Sequence, residues 1–238
     1  MITALANPQR FMAFSRWAAP LAGVLAAALI AVGLWLSFAA PEDYQQGDTV
    51  RIMFIHVPAA WLSLFCYMCL AGSAFFGLVF RHALADAAAR ACAPLGAAFA
   101  ALALVTGSFW GRPMWGAWWV WDPRLTSELV LLLFYLGYIA LQTAIEDEAK
   151  ADRASSILAM AGAINVPIVH FSVVWWNSLH QGESVFRKGG PAMTAVYLWP
   201  LALMAVGYTV LFVALWLVRT RAEVWRRRAR ALALRAAG

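Results

Sequence analysis

The sequence predicts an all-α integral membrane protein, a six-transmembrane-helix bundle with its N- and C-termini cytoplasmic. Three observations carry that prediction. The residues AVILMFWYC make up 63% of the 238-residue chain and charged residues only 13%, whereas about a quarter of a soluble domain is charged. Apolar runs of the roughly 20 residues that a helix needs to cross a hydrocarbon core of about 30 Å recur six times. Lys and Arg collect at the ends of those runs.

The first run, Trp17 to Ala40, follows Arg10 and Arg16 and closes on Ser37-Phe38-Ala39, a small-x-small pattern. Its apolar stretch exceeds the roughly 7 to 15 residues of a signal-peptide core, so it reads as an uncleaved span. The second, Val57 to Phe80, opens with RIMFIHVPAAW, which places His56 at its mouth. The third runs from Ala91 to Phe109. Between it and the fourth span, Ser127 to Ile145, lies WGRPMWGAWWVWDPRLTSE, Trp110 to Glu128, with five of the thirteen tryptophans in twelve residues. Gly111, Pro113 and Gly116 are expected to keep that segment from forming one smooth helix. Asp122 followed by Pro123 reads as an N-cap and first helical residue that start the fourth span. The fifth span, Ser155 to Trp176, leads into WWNSLHQGES and His180. The sixth, Thr194 to Val218, precedes the basic tail RTRAEVWRRRARALALR, 219–238 with the residues that follow, expected to anchor at anionic lipid of the inner leaflet. The connections leave no room for a separate soluble domain, so residues 1–238 form one membrane domain.

Orientation follows from charge. With six spans both termini share a side, and that side collects 13 of the 18 Lys and Arg residues. The positive-inside rule makes it cytoplasmic. The tryptophan segment, His56 and His180 then face the other way. Although the net charge is +6, the basic residues form no stripe interleaved with polar contacts, which argues against a nucleic-acid partner. Cys66 and Cys69 of CYMC lie about 14 to 18 Å into the membrane, where a thiol is inert packing. The chain lacks C-x-x-C-H, so it carries no covalent c-type haem of its own.

One or two tryptophans per helix end make an interfacial belt; five in one connection are more than a belt needs. Trp115, Trp118 and Trp119, spaced i, i+3, i+4, share one face of any helical turn, and with Trp110 and Trp121 they read as an aromatic shelf for a large planar apolar ligand. Gly111 and Gly116 are expected to let the backbone approach that ligand. A planar ligand with a metal needs axial donors, and neutral imidazole suits iron. His56 and His180 share the depth of the shelf, whereas His82 lies about 30 Å away at the other face. His170, about 9 Å below the outer end of the fifth span, is expected to be a hydrogen-bonded ring inside the bundle. Asp122 is assigned to capping first and to ligand contact second. Arg51 and Arg124 occupy the same face, where a guanidinium pairs with carboxylates such as haem propionates; Arg51 snorkelling to the interface and Arg124 pairing i, i+4 with Glu128 are the competing assignments.

The tryptophan segment resembles the WWD motif of haem-handling membrane proteins, and with RIMFIHVPAAW and FSVVWWNSLHQG around it the chain resembles, over nearly its whole length, the cytochrome c maturation protein C family (haem exporter protein C, CcmC). The resemblance implies haem b held at the outer face of a bacterial inner membrane, at a site facing the periplasm, with His56 and His180 matching the family's external axial histidines. It implies delivery to a membrane-anchored haem chaperone, with a two-subunit ABC transporter and a small single-span protein as partners. No nucleotide-binding motif is present, so ATP hydrolysis is expected in a partner and the chain is not expected to be an enzyme. Three other readings stand beside this one. A cytochrome c synthase component would need more spans and longer external domains. A haem permease would need a polar path at mid-membrane, for which Asn165 and His170 are nearly the only candidates. A membrane cytochrome b electron carrier would ligate haem deeper, through His170.

Overall fold

The computed structural model describes residues 7–180, 182, 185 and 188–237. Among them there are no strands, and six helical stretches are long and apolar enough to cross a membrane. All six predicted spans are present, several of them longer than the hydrocarbon core requires.

Helix α1, Pro8–Ala39, starts well before the apolar run because Asn7 accepts a 2.8 Å bond from the Gln9 N–H and Pro8 sits in the first turn, a start that needs no apolar residues. A short 3-10 turn, Asp48–Ile52, leads into α2, Met53–Phe80. Helix α3, Ala83–Trp115, is capped by the His82 ring, which accepts from the Ala85 N–H. It runs through Gly111 and Pro113 and ends only at Gly116, whose φ of 75° supplies the left-handed C-cap that glycine adopts without steric cost. The expectation that Gly111 and Pro113 interrupt the helix is therefore corrected. Pro113 lies in the final turns, where one lost backbone bond bends a helix without stopping it.

Helix α4, Pro123–Ala144, begins at the Asp122 cap. The fifth span is two helices, α5, Glu148–Gly162, and α6, Asn165–Trp175. Pro167 explains the break, since its ring collides with the carbonyl four residues back, at Ala163. Local 3-10 bonds from Ile164 to Ala161 and from Val166 to Ala163 bridge the gap, and the exposed break lets the buried Asn165 amide donate to the Ser127 carbonyl at 2.8 Å. Helix α7, Ala195–Ala237, is a single helix that carries the last span and the basic tail together.

Helices α2, α3 and α4 form the core. Tyr135 of α4 is fully buried, donates to the Ser63 carbonyl of α2 at 2.7 Å and lies over Gly96 of α3. Helix α1 packs mainly along α7, and its apolar residues Val24, Leu25, Trp35 and Phe38 stay exposed, as suits a face covered by lipid tails. Arginines of the tail turn back on the bundle. Arg226 and Arg227 bind Glu223 and Glu148, and Arg227 also reaches Asp152 at 3.0 Å. Those two charges are committed to the protein itself, unlike the free lipid anchor expected from the sequence.

Candidate functional site

The end of the bundle opposite the tail gathers the start of α2, the end of α3, the start of α4 and the segment after α6. His56, in the first turns of α2, packs against α3. Its Nδ1 lies 3.0 Å from the Ala103 carbonyl and 3.1 Å from Thr106 Oγ1. A carbonyl only accepts, and the Thr106 hydroxyl already donates to the Leu102 carbonyl at 2.6 Å. The proton is therefore on Nδ1 and the lone pair on Nε2. Room for the ring comes from Gly107, where a Cβ would stand 3.0 Å from His56 Cε1.

His180 reaches the same place from the loop after α6. Its Nδ1 is 3.2 Å from Asp122 Oδ1, a carboxylate oxygen, so here too the proton sits on Nδ1 and Nε2 keeps its lone pair. Asp122 is buried and serves two elements at once. Oδ1 accepts the Arg124 N–H at 2.8 Å and the Leu125 N–H at 3.4 Å, capping α4, while Oδ2 accepts the Leu179 N–H at 2.9 Å and fixes the loop that carries His180. Burial alone would raise the Asp122 carboxyl. Hydrogen bonds from Ser178, Leu179 and Arg124, with His180 beside it, outweigh that and hold it below the usual carboxylate range. Burial pushes the His180 imidazole down, and the attraction of Asp122 only partly restores it. At neutral pH His180 is a neutral base with an open Nε2.

Both imidazoles line one small cavity of about 30 Å³, with Gly107, Arg124, Glu128 and Val169 around it. Neither Nε2 makes a hydrogen bond within the described residues. A ring nitrogen tied to a carbonyl or carboxylate, with its opposite nitrogen open, is how proteins prepare histidines for metals. Each ring also has a tryptophan against it. Trp110 meets His56 edge-on at 5.6 Å and Trp115 meets His180 at 5.0 Å.

The other expected site residues divide. Trp110 is partly buried among Val50, Met53 and Phe54, and its Nε1 donates to Gln46 Oε1 at 2.8 Å, pinning the loop before α2 to α3. The helical shelf of Trp115, Trp118 and Trp119 does not form, because Gly116 ends the helix between them. Of these three, Trp115 alone meets a histidine. Trp118 stands edge-on to Phe109 at 5.7 Å beneath Arg112, Trp119 is edge-on to Trp121 at 5.5 Å, and Trp118 and Trp121 are exposed. Gly111 admits the Trp115 indole, 2.8 Å from where its Cβ would be, rather than a ligand. Arg124 lines the cavity with Glu128, and the two attract each other without closing to an ion pair. Arg51 lies off the cavity, bound to Asp48 and to the Ala40 carbonyl. His170 faces outward on α6, edge-on to Phe171, and not into the bundle.

Sequence reasoning missed Ala103, Thr106 and Gly107 as partners of His56, and Glu128 as a lining residue. Their common signal is a helical one: Ala103, Thr106 and Gly107 fall at i, i+3, i+4 and so share the α3 face turned to α2.

Asp122→Ala is expected to remove the α4 cap and to release His180. The stability loss is about 0.5–2 kcal/mol for the cap, and a metal ligand held through His180 would lose about 10–100-fold in affinity, the cost of removing the second partner of a metal-binding histidine. Thermal unfolding and ligand titration of the same preparation check both. Asp122→Asn keeps an acceptor for the helix and is expected to retain most of the stability while losing affinity.

Comparison with known proteins gives one consistent result. The chain is 54% identical to Heme exporter protein C of Bradyrhizobium diazoefficiens over 96% of its length and 87% of the relative's. It is 45% identical to Heme exporter protein C of Paracoccus denitrificans over 97% and 96%, and 46% identical to that of Escherichia coli strain K12 over 91% and 88%. The family model described as Heme exporter protein C matches residues 1–235, and the chain belongs to that family.

Proposed function

We propose that this protein takes part in haem export for cytochrome c biogenesis by holding haem b at the extracytoplasmic face of the bacterial inner membrane, with His56 and His180 as axial ligands, and handing it to a periplasmic haem chaperone. It is a transport component and not an enzyme; ATP hydrolysis belongs to a two-subunit ABC partner, with a small single-span protein alongside. The family name supports haem as cargo. The orientation rests on the 13 of 18 basic residues that share the side of the termini.

The observation that carries this reading is the pair of imidazoles lining one cavity, each with Nδ1 bound to an acceptor and Nε2 open. That donor chemistry fits haem iron. A cavity of about 30 Å³ holds roughly one water, so loading the macrocycle requires His180 and its loop to part from His56. Trp115 and Trp110 would then border the ring, the exposed Trp118 and Trp121 would cover its outer edge, and Arg124 would pair with a propionate. An axial pair held by single side chains at the membrane edge lets a partner displace one ligand and draw the cargo out. His170 is exposed on α6 and does not line the cavity shared by His56 and His180, which favours the paired-imidazole reading over the cytochrome b one.

Haem transfer tests the proposal. Purified protein, loaded and mixed with the chaperone, is expected to lose its bis-imidazole absorbance as the chaperone gains haem. Reversible reduction and reoxidation with no transfer would support an electron carrier and overturn delivery.

A further inference from the structure

At the tail end of the bundle an open cavity of about 890 Å³ lies between the last turn of α2 and the first turns of α3 and α5, a volume of roughly thirty waters. Its charged lining separates into two sets. Glu148, Asp152 and Arg227 are bound within the network that holds the tail. Arg81, Asp86 and Arg153 line the same cavity and make no hydrogen bond or ion pair through their side chains among the described residues. Arg81 also sits at φ 51°, the one non-glycine residue with positive φ among those described. An arginine held there is a strained choice for a helix end that glycine would terminate at lower cost. Asp86 lies directly on Gly77, whose added Cβ would come 1.9 Å from Oδ1, so any side chain at 77 would displace the carboxylate.

Apart from Ser156, the remaining wall is apolar. Leu78 and Ile157 line it, and Ile157 is 53% exposed. Ile157 stands about 13 Å along α5 from Glu148, and the exposed Phe76, Val79 and Phe80 continue the apolar surface along α2. A cavity with an exposed apolar flank, two arginines outside any ion pair and one carboxylate that feels Arg227 and His82 without pairing to either matches a zwitterionic lipid better than a soluble anion. The geometry points to a bound aminophospholipid, its phosphate between Arg81 and Arg153, its ammonium on Asp86 and an acyl chain along Leu78 and Ile157. Arginine suits the phosphate because its planar fork gives two parallel donors. Asp86 supplies the discrimination, since a primary ammonium donates hydrogen bonds that a trimethylated one lacks.

Native mass spectrometry of the full chain, released from nanodiscs containing phosphatidylethanolamine, phosphatidylcholine and phosphatidylglycerol in equal parts, tests this. The protein is expected to retain one phospholipid, with phosphatidylethanolamine favoured. Arg81→Gln with Arg153→Gln is expected to reduce that retention at least tenfold, and Asp86→Asn to keep a lipid but shift it toward phosphatidylglycerol. Helical circular dichroism and an unchanged haem spectrum certify that the variants are folded. Equal retention by wild type and the double variant overturns the proposal. So does binding of inorganic phosphate to delipidated protein as tightly as phosphatidylethanolamine, which would make the site a plain anion site. Loss of co-purifying subunits in the double variant with the lipid count unchanged would overturn it in favour of a protein contact.

Discussion

Protein carrying His56→Ala and His180→Ala together is expected to retain no stoichiometric haem and no bis-imidazole spectrum, while still folding into its six spans. Both effects follow from the separation between what orients each ring and what the ring offers. The Nδ1 bonds to Ala103, Thr106 and Asp122 are intramolecular, and removing the rings leaves their acceptors with other donors: the Thr106 hydroxyl for the Ala103 carbonyl, and the Arg124, Leu125 and Leu179 N–H groups for Asp122. Loss of one second-partner contact to a metal-binding histidine costs about 10–100-fold, and loss of the ligand itself is expected to cost at least the upper end of that. Each single variant should therefore give a haem with one protein ligand, a changed spectrum and a residence time shortened about 100-fold or more; the double variant should give background binding. Thr106→Val is the matched mild change, since His56 keeps the Ala103 carbonyl. Acidity adds a second reading. His180 is held below the ordinary imidazole range by burial, so its protonation, and with it the loss of ligation, is expected only at pH values under the unperturbed value of about 6.5. An unchanged bis-histidine spectrum in the double variant would remove both residues from the site.

The architecture was legible because the bilayer imposes it. A hydrocarbon slab leaves a chain of this composition few choices besides helices, and the six apolar runs reappear as six spans. Helix ends were not legible from hydropathy, because capping and not apolarity sets them. Asn7, His82 and Gly116 extend α1 and α3 beyond the apolar runs. The basic tail continues α7 because arginine and alanine are good helix formers and because Glu148 and Asp152, distant in sequence, supply partners for Arg226 and Arg227. At the candidate site the ring-bearing residues were visible as types, while their partners were not. His56 meets Ala103 and Thr106 across 47 and 50 residues, and His180 meets Asp122 across 58. The i, i+3, i+4 spacing of Trp115, Trp118 and Trp119 was misleading because a single glycine at 116 ends the helix that the spacing presumes. Asp122 was a cap by pattern; its second task could be read only once the loop after α6 was in place.

The arrangement of α2, α3 and α4 depends on one residue with no side chain, so Gly96→Ala is expected to be among the most damaging single substitutions in the bundle. A Cβ at 96 would stand 2.1 Å from Tyr135 Cζ and 2.2 Å from its hydroxyl. That ring cannot swing aside. It is fully buried, its hydroxyl is held by the Ser63 carbonyl at 2.7 Å, and Tyr67 packs edge-on against it at 4.8 Å. Overpacking a tight core costs about 1–3 kcal/mol, and this contact calls for the top of that range even after the gain of up to about 1 kcal/mol that alanine brings to a helix. For a chain of this size the loss corresponds to a fall in Tm of roughly 6–12 °C, measured by thermal unfolding in one detergent. Gly72→Ala is the control, because nothing lies within 4 Å of its added Cβ; it should be neutral or slightly stabilising. Gly96→Ala with Tyr135→Leu should lose less than the two single changes summed, a coupling that identifies the collision as the cause. Tyr135 joins the three helices that also carry His56, Thr106 and Arg124. Forcing α3 outward at 96 should therefore weaken the Ala103 and Thr106 bonds to His56 about two to three helical turns away, and haem should leave the folded variant faster than wild type. Additive stabilities, or a Gly96→Ala protein as stable as wild type, would show that the bundle tolerates a wider spacing here than its packing implies.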